Sequence, residues 1–158
     1  DPIDFYVIGE GVMKKYIEDQ KKEYSLENLY ILPYQPREMM PQLLAFADLQ
    51  YIFMSKEMEG HGFPSKVYTI MACGKPMLIC SGDNTPIVNF LKDLNCAEII
   101  STADLSEKVA HIEKFLKTAT EEKLRILGSN GLKTIENHYT KQVVTKKYVN
   151  LINNLFLK

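Results

Sequence analysis

Short apolar runs alternate along this chain with longer segments of helical period. FYVIG (Phe5 to Gly9) is the first run, followed by the polar segment GVMKKYIEDQKKEY (Gly11 to Tyr24). NLYIL (Asn28 to Leu32) is the second run, ended by Pro33. In PREMMPQLLAFAD (Pro36 to Asp48), Met39, Met40, Leu43, Leu44 and Ala47 share one helical face. Pro36 opens that helix, and Pro41 lies near its first turn, where proline is least costly. LQYIF (Leu49 to Phe53) predicts a third strand, SKVYTIMACG (Ser65 to Gly74) a helix closed by Gly74, and KPMLIC (Lys75 to Cys80) a fourth strand. Thr85 and Pro86 read as the cap and first residue of a helix carrying Ile87, Val88, Phe90, Leu91 and Leu94. AEII (Ala97 to Ile100) predicts a fifth strand. Leu105, Val109, Ile112, Phe115 and Leu116 mark another amphipathic helix, and a further one runs from Glu121 to about His138. Thr140 caps a last helix carrying Val144, Tyr148, Leu151, Ile152, Leu155 and Phe156, with Tyr139 and Val144 placed for a hydrophobic staple.

Strands alternating with helices predict βαβ units on a parallel sheet. Because the strands are continuous apolar runs, both faces of that sheet should be covered. The expected fold is therefore α/β: a doubly wound, Rossmann-like parallel sheet with helices on both faces. Such sheets bind ligands where the C-terminal ends of strands lead into helix N-termini.

Composition narrows the possibilities. The 158 residues suit about one domain, and 46% hydrophobic with 25% charged residues is ordinary for a globular chain. A net charge of −1 gives no electrostatic case for nucleic acid. Cys73, Cys80 and Cys96 lie in apolar contexts without metal spacing, and read as buried reduced thiols suited to a reducing cytosol. No apolar run approaches the roughly 18 residues of a membrane-spanning helix. Asp1 reads as a cut end rather than a natural start.

Gly9 and Gly11 lie between a strand and a helix, as in a dinucleotide-binding turn. Lys14 stands where the third glycine would fall, and no acidic residue closes a strand about 20 residues on. A tight turn is the preferred reading, and NAD or FAD is not expected. There is no phosphate loop of the GxxxxGK[ST] type, no nucleophile elbow, no metal-spaced cluster and no Asp-x-Asp pair.

The stronger signal is MEGHGFPSKVYTIMACGKPMLIC (Met58 to Cys80). Gly60 and Gly62 allow close backbone approach to a ligand, Pro64 fixes the approach to the helix and Ser65 is placed to cap it. Lys66 falls in the first turn, where the helix dipole disfavours a cation. An anion bound there would explain the lysine, since helix N–H groups, a hydroxyl and an ammonium together suit a phosphate. The alternative is that Lys66 projects into solvent.

GFPSKVYTIMACGKPMLI resembles the donor-binding segment of the group 1 (family 4) retaining glycosyltransferases of GT-B fold, whose pattern in one branch is Pro-Ser-Lys-x-x-Glu-x-Met-Ala-x-Gly-Lys-Pro-Val. FYVIGEGVMKKYIE, NLYILPYQPREMMPQLLAFADLQYIF and IENHYTKQVVTKKYVNLI resemble the family's flanking elements in the same order. The resemblance implies that residues 1–158 are most of a nucleotide-sugar donor-binding C-terminal domain. A first strand–helix unit and an N-terminal acceptor domain are expected elsewhere in the full enzyme.

It implies transfer of a sugar from a nucleoside diphosphate sugar, of UDP or GDP type, to an acceptor hydroxyl. The expected setting is cell-surface glycan biosynthesis, with retained configuration and neither metal nor cofactor. The donor-binding residues it implies are Gly9, Gly11, Leu32, Pro33 and Tyr34 on one side. On the other are Gly62, Phe63, Pro64, Ser65, Lys66 and Thr69. Leu32 to Tyr34 would meet the base, Lys66 and Ser65 the diphosphate, and Thr69 the ribose. Thr69 departs from the family, which carries a glutamate there; threonine cannot accept two hydrogen bonds as a carboxylate does. Glu59, His61 and Lys66 are the catalytic candidates. Which of Glu59 and His61 meets the donor sugar depends on the side from which the motif is aligned. Met39 and Met40 read as core.

The expected partners are the nucleotide sugar and a glycan or lipid-linked acceptor held by the N-terminal domain. The expected location is cytoplasmic, including the inner face of a membrane. The last helix would present a partly exposed apolar stripe. The rival reading is a non-catalytic nucleotide-binding or scaffold module of transferase-like fold. An epimerase or phosphorylase would need acid/base or cofactor residues that the sequence does not offer.

Overall fold

The structure is a computed structural model and describes residues 3–59 and 62–156. The chain divides into two compact units, Asp1–Gln42 and Leu43–Lys158. Each is described by itself.

In the first unit, strand β1 (Phe5–Ile8) leads through Gly9 into helix α1 (Lys14–Glu23), which returns to strand β2 (Leu29–Leu32). The strands are parallel, with Phe5 opposite Leu29 and Ile8 opposite Leu32. Gly9 adopts φ +128°, outside the comfortable range of a side-chain-bearing residue, and its N–H donates to the Leu32 carbonyl at 3.1 Å. Tyr6 and Tyr30 stack across the ladder at 4.8 Å between ring centroids. No described residue of this unit is fully buried, and all four residues of β1 are exposed.

A 3₁₀ turn (Arg37–Met39) leads into helix α2 (Met40–Phe46), which crosses the division between the units. The single helix expected over 36–48 is thus broken into two forms, with Pro41 in the first turn of the α-helical part. Met39 and Met40, expected as core, are 43% and 41% exposed. The helical face drawn for them needs a longer regular helix than this one.

The second unit holds strands β3 (Gln50–Phe53), β4 (Met77–Cys80) and β5 (Ala97–Ile100), and helices α3 (Lys66–Ala72), α4 (Pro86–Leu91), α5 (Leu105–Thr118), α6 (Glu121–His138) and α7 (Lys141–Phe156). The strands form a parallel sheet in the order β3-β4-β5, with Gln50 opposite Met77 and Met77 opposite Ala97. β4 is central and wholly buried. Its alternating side chains divide between two cores. Met77 and Ile79 pack with Ile52, Val67, Ile70, Met71, Ile87, Val88, Leu91 and Cys96. Leu78 and Cys80 pack with Ile100, Phe115 and Leu127. The sheet is therefore covered on both faces, as continuous apolar strands require.

The α/β class with parallel strands and flanking helices holds, but the expected single ladder does not. Among the described residues the five strands fall into a two-stranded and a three-stranded sheet. An apolar run of four residues encodes extended backbone and burial, not the partner it pairs with.

Helix ends show where sequence chemistry was used. α3 closes in a Schellman arrangement: Gly74 takes φ +64°, its N–H donates to the Met71 carbonyl, and the Lys75 N–H reaches back to Ile70. Asp104, Thr120 and Thr140 cap α5, α6 and α7 through their side chains. Thr85 stands at the N-cap of α4 with Pro86 following, but its hydroxyl makes no cap bond; it binds Ser81 Oγ and the Gly82 carbonyl instead.

α6 lies against the end of α3. A side chain at Gly128 would put its Cβ 2.0 Å from the Gly74 carbonyl oxygen, and one at Gly131 would crowd Met71. Glycine is required at 128 by this close approach. Tyr139, expected in a staple, joins Tyr68, Phe63 and Phe90 in an aromatic cluster. On α7, Tyr148, Leu151, Ile152, Leu155 and Phe156 are all more than half exposed. Of the cysteines, Cys80 and Cys96 are buried and Cys73 is half-buried, all free thiols. Among the described residues, no helix is long and apolar enough to cross a membrane.

Candidate functional site

The predicted site residues fall into two groups, one in each unit. In the first, Gly9 and Leu32 are joined by the hydrogen bond already given, at the C-terminal ends of β1 and β2. Gly11 follows in the βα turn, where its carbonyl accepts from the Lys14 N–H. Lys14 itself pairs with Glu10 at 2.7 Å, so the lysine at the expected third-glycine position is held by its own turn. Pro33 and Tyr34 continue from β2, both exposed, with Tyr34 at 77%. Gln35, which the sequence reading passed over, donates to the Pro33 carbonyl at 2.9 Å and fixes this turn.

The second group lies at the C-terminal ends of β3 and β4. The ladder continues one residue past β3, where the buried Met54 donates its N–H to the Cys80 carbonyl. The chain then turns at Ser55, whose carbonyl accepts from both Met58 and Glu59 N–H. Phe63, Pro64 and Ser65 lead into α3. Gly60 and His61 lie outside the described residues, so the histidine candidate has no placement.

Ser65 occupies the N-cap position but does not cap. Its backbone is already helical (φ −58°, ψ −23°), and its side chain accepts no bond from the first turn. A capping hydroxyl needs an extended backbone at that residue to reach the free N–H groups. The first turn is instead closed through backbone carbonyls, Val67 N–H to Pro64 and Tyr68 N–H to Ser65. Both Ser65 and Lys66 are exposed. Among the described residues Lys66 pairs with no acid. Thr69 is also exposed, three residues on and on the same helical side.

These elements enclose a groove of about 300 Å³, lined by Ile52, Phe53, Met54, Glu57, Met58, Gly62, Phe63, Pro64 and Lys66. That is the lower end of ordinary small-molecule sites, roughly 300–1,000 Å³, so it has room for part of a larger ligand rather than all of it. The groove has an apolar floor and two charged groups of opposite sign, Lys66 and Glu57. Glu57 was not singled out from the sequence. Its carboxyl is held below the usual range, first by the Ser55 hydroxyl and then by backbone N–H bonding, so it stays ionised. Elsewhere on β3, the half-exposed Tyr51 directs its hydroxyl to Cys80 Sγ at 3.7 Å, and partial burial followed by that bond pushes its pKa up.

The second catalytic candidate, Glu59, does not line the groove. Its Oε1 accepts the Gly82 backbone N–H at 2.5 Å, joining the loop after β3 to the turn after β4.

The loop after the edge strand β3, a lysine in the first turn of the next helix and an open groove beside parallel strands make up an α/β module with a candidate ligand groove. The family profile of the glycosyl transferases group 1 matches residues 1–134, and the chain belongs to that family. No curated protein sequence matches it. Solved structures share the fold at low identity. The Anabaena protein HepE in complex with UDP-glucose is 16% identical with a TM-score of 0.70, over 96% of this chain and 41% of that one. A sucrose-phosphate synthase from Thermosynechococcus elongatus is 16% identical with a TM-score of 0.69, over 96% and 38%. WaaG, a glycosyltransferase involved in lipopolysaccharide biosynthesis, is 16% identical with a TM-score of 0.66, over 91% and 36%. This chain therefore spans well under half the length of these proteins.

Proposed function

We propose that this chain is the donor-binding part of a glycosyltransferase that moves a sugar from a nucleoside diphosphate sugar, of UDP or GDP type, to an acceptor hydroxyl. Family membership over residues 1–134, with Phe63, Pro64 and Lys66 of the motif lining one groove, is the observation that carries the reading. The fold shared with HepE, solved with UDP-glucose, supports it.

In this reading negative charge grows on the leaving diphosphate as the sugar–phosphate bond breaks. Lys66 and the N–H groups of the Gly62–Ser65 segment stabilise that charge where it forms, without metal or cofactor. The sugar occupies the apolar groove beside Phe63. Thr69 faces the ribose with a single hydroxyl, and the exposed turn from Leu32 to Tyr34 meets the base. His61 remains the candidate for contact with the sugar. Transfer retains configuration, and the acceptor, a glycan or lipid-linked hydroxyl of cell-surface biosynthesis, is held by another part of the protein. The full enzyme acts in the cytoplasm or against its membrane face.

The test is an amide NMR titration of the chain and its Lys66→Ala variant with UDP, GDP, ADP and dTDP. One nucleotide is expected to shift Leu32 to Tyr34 and Gly62 to Lys66. Removing one charge-assisted phosphate contact should weaken binding about tenfold in the variant. Absence of any shift at millimolar nucleotide would favour the scaffold reading, for which threonine in place of the family glutamate at Thr69 is the supporting observation.

A further inference from the structure

We propose that Glu59 is a positioning residue: its carboxylate locks the loop after β3 to the turn after β4, and so holds the groove mouth where Phe63, Pro64 and Lys66 stand. The two sides of the lock are built differently. The turn after β4 is rigid in its own right. Ser81 N–H donates to the Ile100 carbonyl of the neighbouring strand, and Ser81 Oγ and Thr85 Oγ1, both on buried residues, lie 2.8 Å apart. Thr85 Oγ1 donates in addition to the Gly82 carbonyl at 2.9 Å. Of the polar groups of that turn named so far, the Gly82 N–H is the one met from the loop after β3, by Glu59.

The other side is the turn that follows Ser55. Met58 and Glu59 donate their N–H groups to the Ser55 carbonyl, and the Ser55 hydroxyl meets the Glu57 carboxylate. A charge-assisted bond from the Gly82 N–H to the Glu59 carboxylate adds a tie between this turn and the fixed turn after β4. The fit is close on the glycine side as well. A Cβ at Gly82 would stand 2.8 Å from Glu59 Oε2, while the Gly82 backbone has no positive φ to forbid alanine. Gly82→Ala thus evicts the carboxylate, the mobile end of a flexible side chain, without altering Glu59 itself.

This distinguishes positioning from contact with the donor sugar. Contact needs the negative charge free; positioning needs only an acceptor oxygen within reach of Gly82. Glu59→Gln keeps that oxygen and loses the charge. The experiment is an amide NMR comparison of wild type, Glu59→Ala, Glu59→Gln and Gly82→Ala, first without ligand and then with UDP. Without ligand, Glu59→Ala should move the Gly82 amide upfield and shift Phe63 to Lys66, and Glu59→Gln should restore most of both. Gly82→Ala should reproduce the Phe63 to Lys66 shifts. With UDP, the alanine variants at both positions should bind about three- to tenfold more weakly, and Glu59→Gln within about twofold of wild type. An unmoved Gly82 amide in Glu59→Ala, or Phe63 to Lys66 amides indifferent to every variant, overturns the lock. So does a glutamine variant as impaired as the alanine one beside an unimpaired Gly82→Ala. The UDP arm rests on the donor-site reading above. If wild type fails to bind UDP that reading fails, while the ligand-free spectra still decide the lock.

Discussion

Strands β1 and β4 are both runs of four apolar residues, FYVI and MLIC, each paired to a parallel neighbour. Every residue of β4 is buried, whereas Phe5 to Ile8 keep 37–46% of their surface exposed. The difference lies in what each unit provides. In the second unit three strands present two faces, and helices on both sides cover them with two separate cores. In the first, two strands and one helix share 42 residues, and a two-stranded sheet is marginal without a larger apolar face to bury. The apolar residues of β1 are suited to a covered sheet, and the first unit does not itself supply the cover. Stability should therefore concentrate in the second unit, while the first opens easily.

The sharpest way to break that comparison is at the close approach of α6 to α3. Gly128→Ala forces a Cβ against the Gly74 carbonyl oxygen and should cost about 3 kcal/mol or more, seen as loss of the urea transition of the second unit. A stable Gly128→Ala protein would mean that α6 is free to move. Next comes core truncation. Ile79→Ala should cost about 3 kcal/mol, as large buried residues do on truncation. Val7→Ala in the first unit, removing half-exposed surface, should cost under about 1 kcal/mol. Equal losses in denaturant titrations would erase the distinction, and native-state amide exchange should show the same ranking residue by residue. Smaller again is Gly74→Ala, where φ +64° should impose about 1–2 kcal/mol of backbone strain on the end of α3.

The smallest effect at neutral pH concerns Cys96, whose thiol is pushed up to about 11 by burial. The folded state holds that proton more tightly than the unfolded chain, so the stabilisation is complete below the ordinary thiol range. It is lost as pH rises from about 9 through 11. A melting-temperature profile should fall over that window in wild type and fall less steeply in Cys96→Ala, measured relative to each protein at pH 7, with the partly buried tyrosine hydroxyls supplying the remaining slope. In the native protein at pH 8, Cys73 should alkylate while Cys80 and Cys96 resist.

The elements were legible because glycine and proline punctuate the apolar runs. Gly74 ended α3, Pro86 opened α4, and Thr140 capped α7, each for a local chemical reason. What the sequence withheld was everything that depends on distance along the chain. Nothing in FYVI says that its ladder ends with β2, and nothing in Glu59 says that its partner is the N–H of Gly82. Ser65 shows a related limit: the residue type suited a cap, but the backbone entered the helix one residue early. The groove was half-read, with Phe63, Pro64 and Lys66 foreseen from the motif. Glu57, just before the Met58 to Cys80 stretch, had no periodic or motif signal to mark it.

The packing of Gly128 on Gly74 also sets an order in time. The loop and helix carrying Lys66 leave the ribosome about 50 residues before the glycine-faced helix that they rest on, a long separation for a contact so close. At roughly 5–20 residues per second, several seconds of synthesis pass before α3 can find its final seat. During that interval Val67, Ile70 and Met71, which α3 buries in the finished fold, have only part of their cover. A nascent chain paused between residues 80 and 128 should therefore show this segment sticky to chaperones, and release should coincide with emergence of α6.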